Sequence, residues 1–405
     1  MKVQVLLPKI FNFTFTYDHD KKKNYKIGDV VEVPFGSKNE IGVIWNGVGT
    51  QDKKIKIKNI KKKIGNFCLS KKLIQFVDWF SMYNMVPKGL VLKMCIGGNE
   101  NFFKKNDEKI QNISTIIKNY KLNEQQKTAL EYLEKINKYF NVSVLQGITG
   151  SGKTLVYFER IKKIISEKKQ ALVLLPEIFL TNQFKERFED FFGFTPAVWH
   201  SRITPKNKRI IWQGILKGEI KLIIGARSAL LLPYKNLGLI IVDEEHDSSY
   251  KQDEGTIYNA RDMAISRASF ENIPIHLVTS IPSVETYNNI KNKKYGFVNI
   301  TNRYNEHPLP ETKIINLNLK KIKNRYVANE TINIEQLSRL IAVTSPISKP
   351  TLRSILENAV HKKFIKFVKS NKDLRSVNIE LEDVTIKEFK DWCNDRSKWF
   401  KASSG

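Results

Sequence analysis

The sequence predicts a mixed α/β protein: a small β-rich amino-terminal domain, then a parallel sheet layered with helices, then a small basic α+β unit. Three observations predict it. Short β-branched and aromatic runs separated by glycine and asparagine turns fill residues 1–98. Continuous apolar runs alternate with amphipathic stretches over residues 120–318, the pattern of a sheet covered on both faces. Beyond residue 318 that texture stops, and a compact basic segment takes over at residues 335–395.

In chain order, residues 3–7, 13–17, 29–34 and 41–45 are strands of the first domain, with Gly28, Gly36 and Asn39 in its turns. Over residues 53–63 Lys alternates with Ile55, Ile57 and Ile60, which predicts a strand presenting ammonium groups on one face. Residues 73–83 have helical spacing and close the domain. Residues 99–119 are polar and aperiodic and read as a linker. The lobe over residues 120–318 carries apolar strands at 142–145, 171–175, 221–224, 237–242 and 274–278. A second linker, 319–334, leads to the basic unit, 335–395, and a tail, 396–405.

The chain has 405 residues, room for two or three domains. Its 68 Lys+Arg against 41 Asp+Glu give a net charge of +27, which attracts polyanions, nucleic acid first and an acidic membrane surface second. Lys, Asn and Ile are abundant throughout, so an AT-rich genome is the alternative source of the excess. Three cysteines, Cys68, Cys95 and Cys393, suit neither a disulfide framework nor a four-cysteine zinc site, and predict a reducing, cytoplasmic setting. No secretory signal and no membrane span are expected.

Residues 147–154 read G-I-T-G-S-G-K-T, a phosphate loop following an apolar strand and preceding a helix expected from about Leu155. Gly147, Gly150 and Gly152 let the backbone wrap so that successive N–H groups of the loop, which runs through the nucleotide-binding candidates Ile148, Thr149 and Ser151, face phosphates at a helix N-terminus. Lys153 would neutralise the β- and γ-phosphates, and Thr154 would ligate Mg²⁺. Asp243, Glu244, Glu245 and His246 follow the apolar strand at 237–242, where four ionisable groups are costly unless a cation or substrate compensates them. Asp243 is assigned to Mg²⁺, and Glu244 to orienting and deprotonating an attacking water. Glu245 and His246 are read as nucleotide-site groups that couple to a second site.

The loop, the D-E-E-H box and the D-S-S-Y-K-Q that follows at residues 247–252 resemble the PriA family of replication-restart helicases, in superfamily 2. Further matches are L-N-E-Q-Q at 122–126, P-E-I-F-L-T-N-Q at 176–183, H-S at 200–201 and G-A-R-S-A-L at 225–230. Others are G-T-I-Y-N-A-R-D at 255–262 and P-S-V-E-T at 282–286, while L-P at 7–8, F-T-Y at 15–17 and V-P-F-G at 33–36 resemble that family's 3′-end-binding domain. The resemblance covers residues 1–318. It implies a RecA-like lobe in which Gln126 reads the adenine edge, and Thr181, Arg227 and Ser228 contact the single-strand backbone. Tyr250 and Lys251 would lie in an aromatic-rich loop suited to stacking on DNA, and Phe15, Gly36 and Lys58 in the pocket for a 3′ end. Thr16 stands where some members carry Asp.

The pattern breaks in three places. Thr279-Ser280-Ile281 replaces the family's S-A-T, so an apolar side chain stands where a coupling threonine is expected. The family's zinc-binding cysteine pairs and its second lobe with an arginine finger do not fit after residue 318, and residues 99–119 are too short for the usual winged-helix insertion. At residues 347–356, I-S-K-P-T-L-R-S-I-L reads as a capped amphipathic helix before two strands at 362–369 and 370–381, a weak resemblance to MarR-type winged helices. There Lys349, Thr351 and Arg353 would meet the major groove, and Lys372 and Arg375 the adjacent backbone.

Together these readings imply a DNA-dependent ATPase of the 3′ to 5′ helicase class, using ATP and Mg²⁺, that recognises stalled or branched forks for primosome assembly without unwinding alone. Forked or single-stranded DNA is the expected partner, with primosome proteins and single-strand-binding protein beside it. The alternative is a non-enzymatic platform that holds nucleotide on fork DNA.

Overall fold

The computed structural model describes residues 1–20, 23–47, 57–97, 100–104, 120–135, 139–176, 182–304, 332–333, 365–369 and 377–381. The chain divides into two units, Met1–Pro308 and Leu309–Gly405.

In the first unit, β1 (Lys2–Leu6), β2 (Phe15–Asp18), β3 (Asp29–Phe35), β4 (Lys38–Trp45) and β5 (Lys62–Cys68) form an antiparallel sheet in the order β2-β1-β4-β3-β5. Gly36, at φ +60°, supplies the left-handed residue that the tight β3–β4 hairpin needs. Over its described residues 57–61, the predicted lysine-rich strand at 53–63 is not formed. Residues 51–56 lie outside the described residues, and the edge strand begins at Lys62. Charge pairing fixes that register: Lys62 reaches Glu32 at 3.0 Å and Lys63 reaches Asp29 at 2.7 Å, both carboxylates on β3. Helix α1 (Lys71–Tyr83), capped by the Ser70 side chain, and α2 (Lys88–Ile96) cover one face. Sequence periodicity showed only α1, because α2 is apolar nearly all round and has Gly89 in its first turn. That glycine is required, since a Cβ there would lie 2.2 Å from the Lys9 carbonyl.

The predicted linker starts as packed structure. Glu100–Phe103 is a short 3₁₀ turn whose Phe102 and Phe103 are buried against the Trp212 ring. Apolar content at those two positions outweighed the polar character of the rest; residues 105–119 lie outside the described residues.

The lobe contains α3 (Glu124–Lys135), β6 (Asn141–Gly147), α4 (Lys153–Ser166), β7 (Gln170–Leu174), α5 (Asn182–Phe192), β8 (Ala197–Trp199), α6 (Pro205–Lys217) and β9 (Leu222–Gly225). After these come β10 (Leu237–Asp243), β11 (Lys251–Gln252), β12 (Tyr258–Asn259), α7 (Ala260–Glu271), β13 (Pro274–Thr279), α8 (Val284–Lys291) and β14 (Gly296–Ile300). Seven of the strands form a parallel sheet in the order β14-β6-β13-β10-β7-β9-β8. Alternate strand residues serve opposite cores. Leu172, Leu174, Ile240 and Val242 pack toward α6 and α7, and Ala171, Val173, Leu239 and Ile241 toward α3, α4 and α5. The first of these cores continues without a break into α1 and α2, so the amino-terminal domain and the lobe share apolar packing. Trp212 Nε1 donates to the Cys95 carbonyl at 2.7 Å across that junction, and Lys72 Nζ donates to the Glu271 carbonyl at 2.7 Å.

In the second unit, β15 (Ile332–Asn333), β16 (Ile365–Lys369) and β17 (Val377–Leu381) form an antiparallel sheet in the order β15-β17-β16. The predicted helix at 347–356, with Lys349, Thr351 and Arg353, lies outside the described residues, as do Lys372 and Arg375. Among the described residues no helix is long and apolar enough to cross a membrane.

Candidate nucleotide site

The phosphate loop joins β6 to α4 at the carboxy-terminal edge of the parallel sheet. Gly150 and Gly152 sit at φ +82° and +79°, which a side chain would strain. A Cβ on Gly147 would lie 2.5 Å from Ser151 Oγ, and one on Gly152 would lie 2.2 Å from Gln126 Nε2. Helix α4 begins at Lys153, two residues before the predicted Leu155, so Lys153 and Thr154 lie in its first turn.

Strand β10, two positions along the sheet, ends in Asp243. Its carboxylate accepts from the Tyr157 hydroxyl at 2.9 Å and from the Glu244 backbone N–H at 3.0 Å. Burial, then the neighbouring Glu244 charge, pushes the Asp243 carboxyl up to about 6. Glu244 has φ +48°, a left-handed conformation costing about 1–3 kcal/mol for a side-chain-bearing residue. Lys153 Nζ donates to the Gly147 carbonyl at 2.7 Å and to Ser280 Oγ at 3.3 Å. Burial holds its ammonium below the usual lysine range, while Glu244 and Asp243 act in the opposite direction.

Loop and box line one cavity of about 510 Å³, walled by Thr149, Gly150, Ser151, Gly152, Lys153 and Thr154 on one side and Asp243 and Glu244 on another. Ser151 Oγ is buried there and has no hydrogen-bond partner among the described residues. A glycine cradle, an orphaned hydroxyl, a lysine, and a hydroxyl and a carboxylate at Thr154 and Asp243 fit a polyphosphate with a hard divalent cation. Gly147 and Ile148 form the base of the loop, where the Ile148 carbonyl accepts from Ser151 N–H at 3.0 Å.

Three predicted nucleotide residues lie elsewhere. Gln126 is fully buried: Nε2 donates to the Ser151 carbonyl at 2.9 Å, and Oε1 accepts from Asn123 N–H at 3.0 Å. Both ends of its amide are occupied, so it braces the loop from below rather than facing an adenine edge. Glu245 is buried away from the cavity. It accepts from Ser283 N–H at 2.8 Å, Thr286 Oγ1 at 2.9 Å and Arg261 Nη1 at 3.2 Å. Four donors including the Ser283 hydroxyl compensate that buried charge and bind the box to the start of α8. His246 pairs through Nδ1 with Thr279 Oγ1 at 2.7 Å and lies 3.6 Å from Glu244 Oε2. Thr279 therefore supplies a hydroxyl to the box, although the family's threonine position holds Ile281.

Of the predicted DNA residues, Phe15, Gly36 and Lys58 come together at one end of the first sheet. The Phe15 ring meets Phe35 at 5.2 Å and Phe11 at 5.0 Å, and Lys58 Nζ donates to the Gly36 carbonyl at 3.3 Å. The Thr16 hydroxyl pairs with the Gln4 amide. Arg227 Nη1 donates to the Lys251 carbonyl at 2.8 Å, which joins those two residues; Ser228 stands beside Arg227. Tyr250 is not a stacking surface. It is 2% exposed, and its hydroxyl bonds the carbonyls of Leu174 at 2.9 Å and Asp243 at 2.6 Å, because it fills the space beneath the ends of β7 and β10. Thr181 lies outside the described residues. Sequence reasoning missed Tyr157, although its position four residues after Lys153 puts it on the same helix face, and missed Phe184, Arg187 and Tyr304, which complete the cavity wall with no local signal.

Residues 2–97 match the family model of a PriA 3′ DNA-binding domain, and residues 119–295 that of the type III restriction enzyme res subunit. The replication restart protein PriA of Rickettsia conorii is 40% identical over 331 residues, covering 80% of this chain and 50% of that protein. The one from Rickettsia prowazekii is 39% identical over 336 residues, covering 82% and 50%. That of Bacillus subtilis is 38% identical over 198 residues, covering 48% of this chain and 25% of that protein. The chain spans about half the length of the Rickettsia relatives it matches. Among solved structures, the Pyrococcus furiosus Hef helicase domain aligns over 44% of this chain and 37% of its own, at 18% identity and a TM-score of 0.34. The chain is thus a homologue of PriA replication restart proteins over the segments aligned, with a 3′ DNA-binding domain followed by a helicase-type lobe.

Proposed function

We propose that this chain binds branched DNA at an exposed 3′ end and carries a nucleotide site that hydrolyses ATP in response. One observation carries the reading: residues 149–154 and the Asp243–Glu244 pair wall a single cavity at the edge of a parallel sheet. Lys153 would meet the β- and γ-phosphates, relieving the burial that depresses its charge. Thr154 and Asp243 would hold Mg²⁺, which supplies neutralisation of phosphate charge when bound. Glu244 would accept the proton of the attacking water; it lines the cavity beside Asp243. His246 and Thr279 would report the state of Glu244 to residues 281–286, which Glu245 and Arg261 hold from the other side. The aromatic corner at Phe15 and Phe35, with Gly36 and Lys58, is where the DNA end would lie, and forked or single-stranded DNA is the partner.

The test is equilibrium binding of nucleotide and of forked DNA, with ATP turnover measured with and without that DNA. Lys153→Ala is expected to abolish nucleotide binding and leave fork affinity unchanged. Loss of fork binding in a folded Lys153→Ala protein would overturn the separation of the two sites. Nucleotide binding without turnover under any DNA would favour a non-enzymatic fork platform.

A further inference from the structure

We infer that Arg187 is a second cationic ligand of the bound nucleotide, supplied by the lobe itself and directed at the terminal phosphate; this rests on the nucleotide reading above. Arg187 lies on α5, a helix anchored through Phe188, Phe191 and Phe192, each at most 1% exposed in the core beneath α4. That anchoring puts Arg187 at the solvent edge of a fixed helix, where it lines the same cavity as Lys153, Asp243 and Glu244. The protein pairs several of its exposed cations, Lys62, Lys127 and Lys251 among them, yet Arg187 makes no ion pair or hydrogen bond with any other described residue. An exposed arginine with no partner among the described residues, lining the cavity of a phosphate cradle, is available to a ligand; its planar fork matches phosphate oxygens.

Strands β7 and β10 are neighbours, with Leu174 opposite Val242, so Leu175 and Pro176 adjoin Asp243 and Glu244 in the cavity wall. Tyr304 stands at the other end of the cavity: its N–H donates to the Gly150 carbonyl at 2.9 Å, and its ring lies 3.6 Å from where a Gly152 Cβ would be. Asp243 and Glu244 mark the end where the terminal phosphate and the attacking water would meet, and the assignment of Arg187 to the terminal phosphate puts its guanidinium toward that end, with Tyr304 at the loop end.

The experiment measures binding of a non-hydrolysable ATP analogue and of ADP, both with Mg²⁺, to the full chain and to its Arg187→Ala and Arg187→Lys variants. Circular dichroism melts verify folding. Arg187→Ala is expected to weaken the triphosphate about tenfold, as loss of one charged hydrogen-bonding partner does, with a much smaller change for ADP. Arg187→Lys should recover part of the triphosphate affinity. Equal weakening of both nucleotides, or no change in either, overturns the assignment while leaving the nucleotide site intact. Failure of the unaltered chain to bind either one defeats the underlying reading instead.

Discussion

His276 shows how much one side chain can set against the fold. It sits in the middle of β13, fully buried, paired in register with Ser143 and Ile241, and neither ring nitrogen meets a hydrogen-bond partner among the described residues. Burial, and then the Arg160 guanidinium, which is itself paired with Glu134 at 3.6 Å, pull its pKa down to about 3. Unfolded, the ring would titrate near its ordinary 6.5. Between those values the unfolded chain takes up a proton that the fold refuses, so stability falls as the pH drops from 6.5 towards 3, by at most about 1.4 kcal/mol per pH unit. Asp243 works the other way, since its raised carboxyl gains a proton in the folded state first, between about 6 and its ordinary 3.8. The comparison with His276→Phe separates the two. Urea unfolding at about pH 7.5 and about pH 5 should show a larger loss in the unaltered chain than in the variant. Equal losses would mean that the histidine is hydrated in the fold.

At the scale of elements, Trp212 decides whether the amino-terminal domain and the lobe unfold together. Its ring is fully buried on α6, caged by Phe67, Phe102 and Phe103 and tied to the end of α2 through the Cys95 carbonyl. Trp212→Ala should cost about 3–5 kcal/mol, and split a single urea transition followed by circular dichroism into two. Trp212→Phe, which keeps most of the ring, should cost less and leave one transition; two transitions there would place the coupling in the hydrogen bond. This junction was not legible beforehand, because residues 99–104 read as polar linker and the cage joins positions remote in sequence. The five central strands were legible because they are continuously apolar. Their neighbours β8 and β14 were not, one being three residues long and the other having a half-exposed alternation like that of a loop. The phosphate loop and the acidic box could be read from spacing alone. The burial of Gln126 and Glu245 could not, since their partners arrive 25 and 38 residues later in the chain.

For the whole molecule, the net charge of +27 raises a question that composition leaves open, whether the excess meets phosphates or merely coats the surface. The fold narrows it. Several lysines of the first sheet are committed to carboxylates, Lys9 to Glu40, Lys62 to Glu32 and Lys63 to Asp29, and those pairs release no counterions when DNA binds. Lys58 is different: it is exposed beside the aromatic corner, and the one described bond of its ammonium is to a backbone carbonyl, which neutralises nothing. Fork affinity should therefore fall steeply as salt rises from about 50 to about 200 mM, with log affinity linear in log salt. Lys58→Ala should weaken binding to forks of every sequence alike and lower that slope by about one, as loss of a single phosphate contact does. Lys153→Ala should leave the slope unchanged, because that ammonium is buried in the cavity of the phosphate loop. A slope untouched by Lys58→Ala would remove the first sheet from the DNA path, and a flat salt profile would assign the charge excess to composition alone.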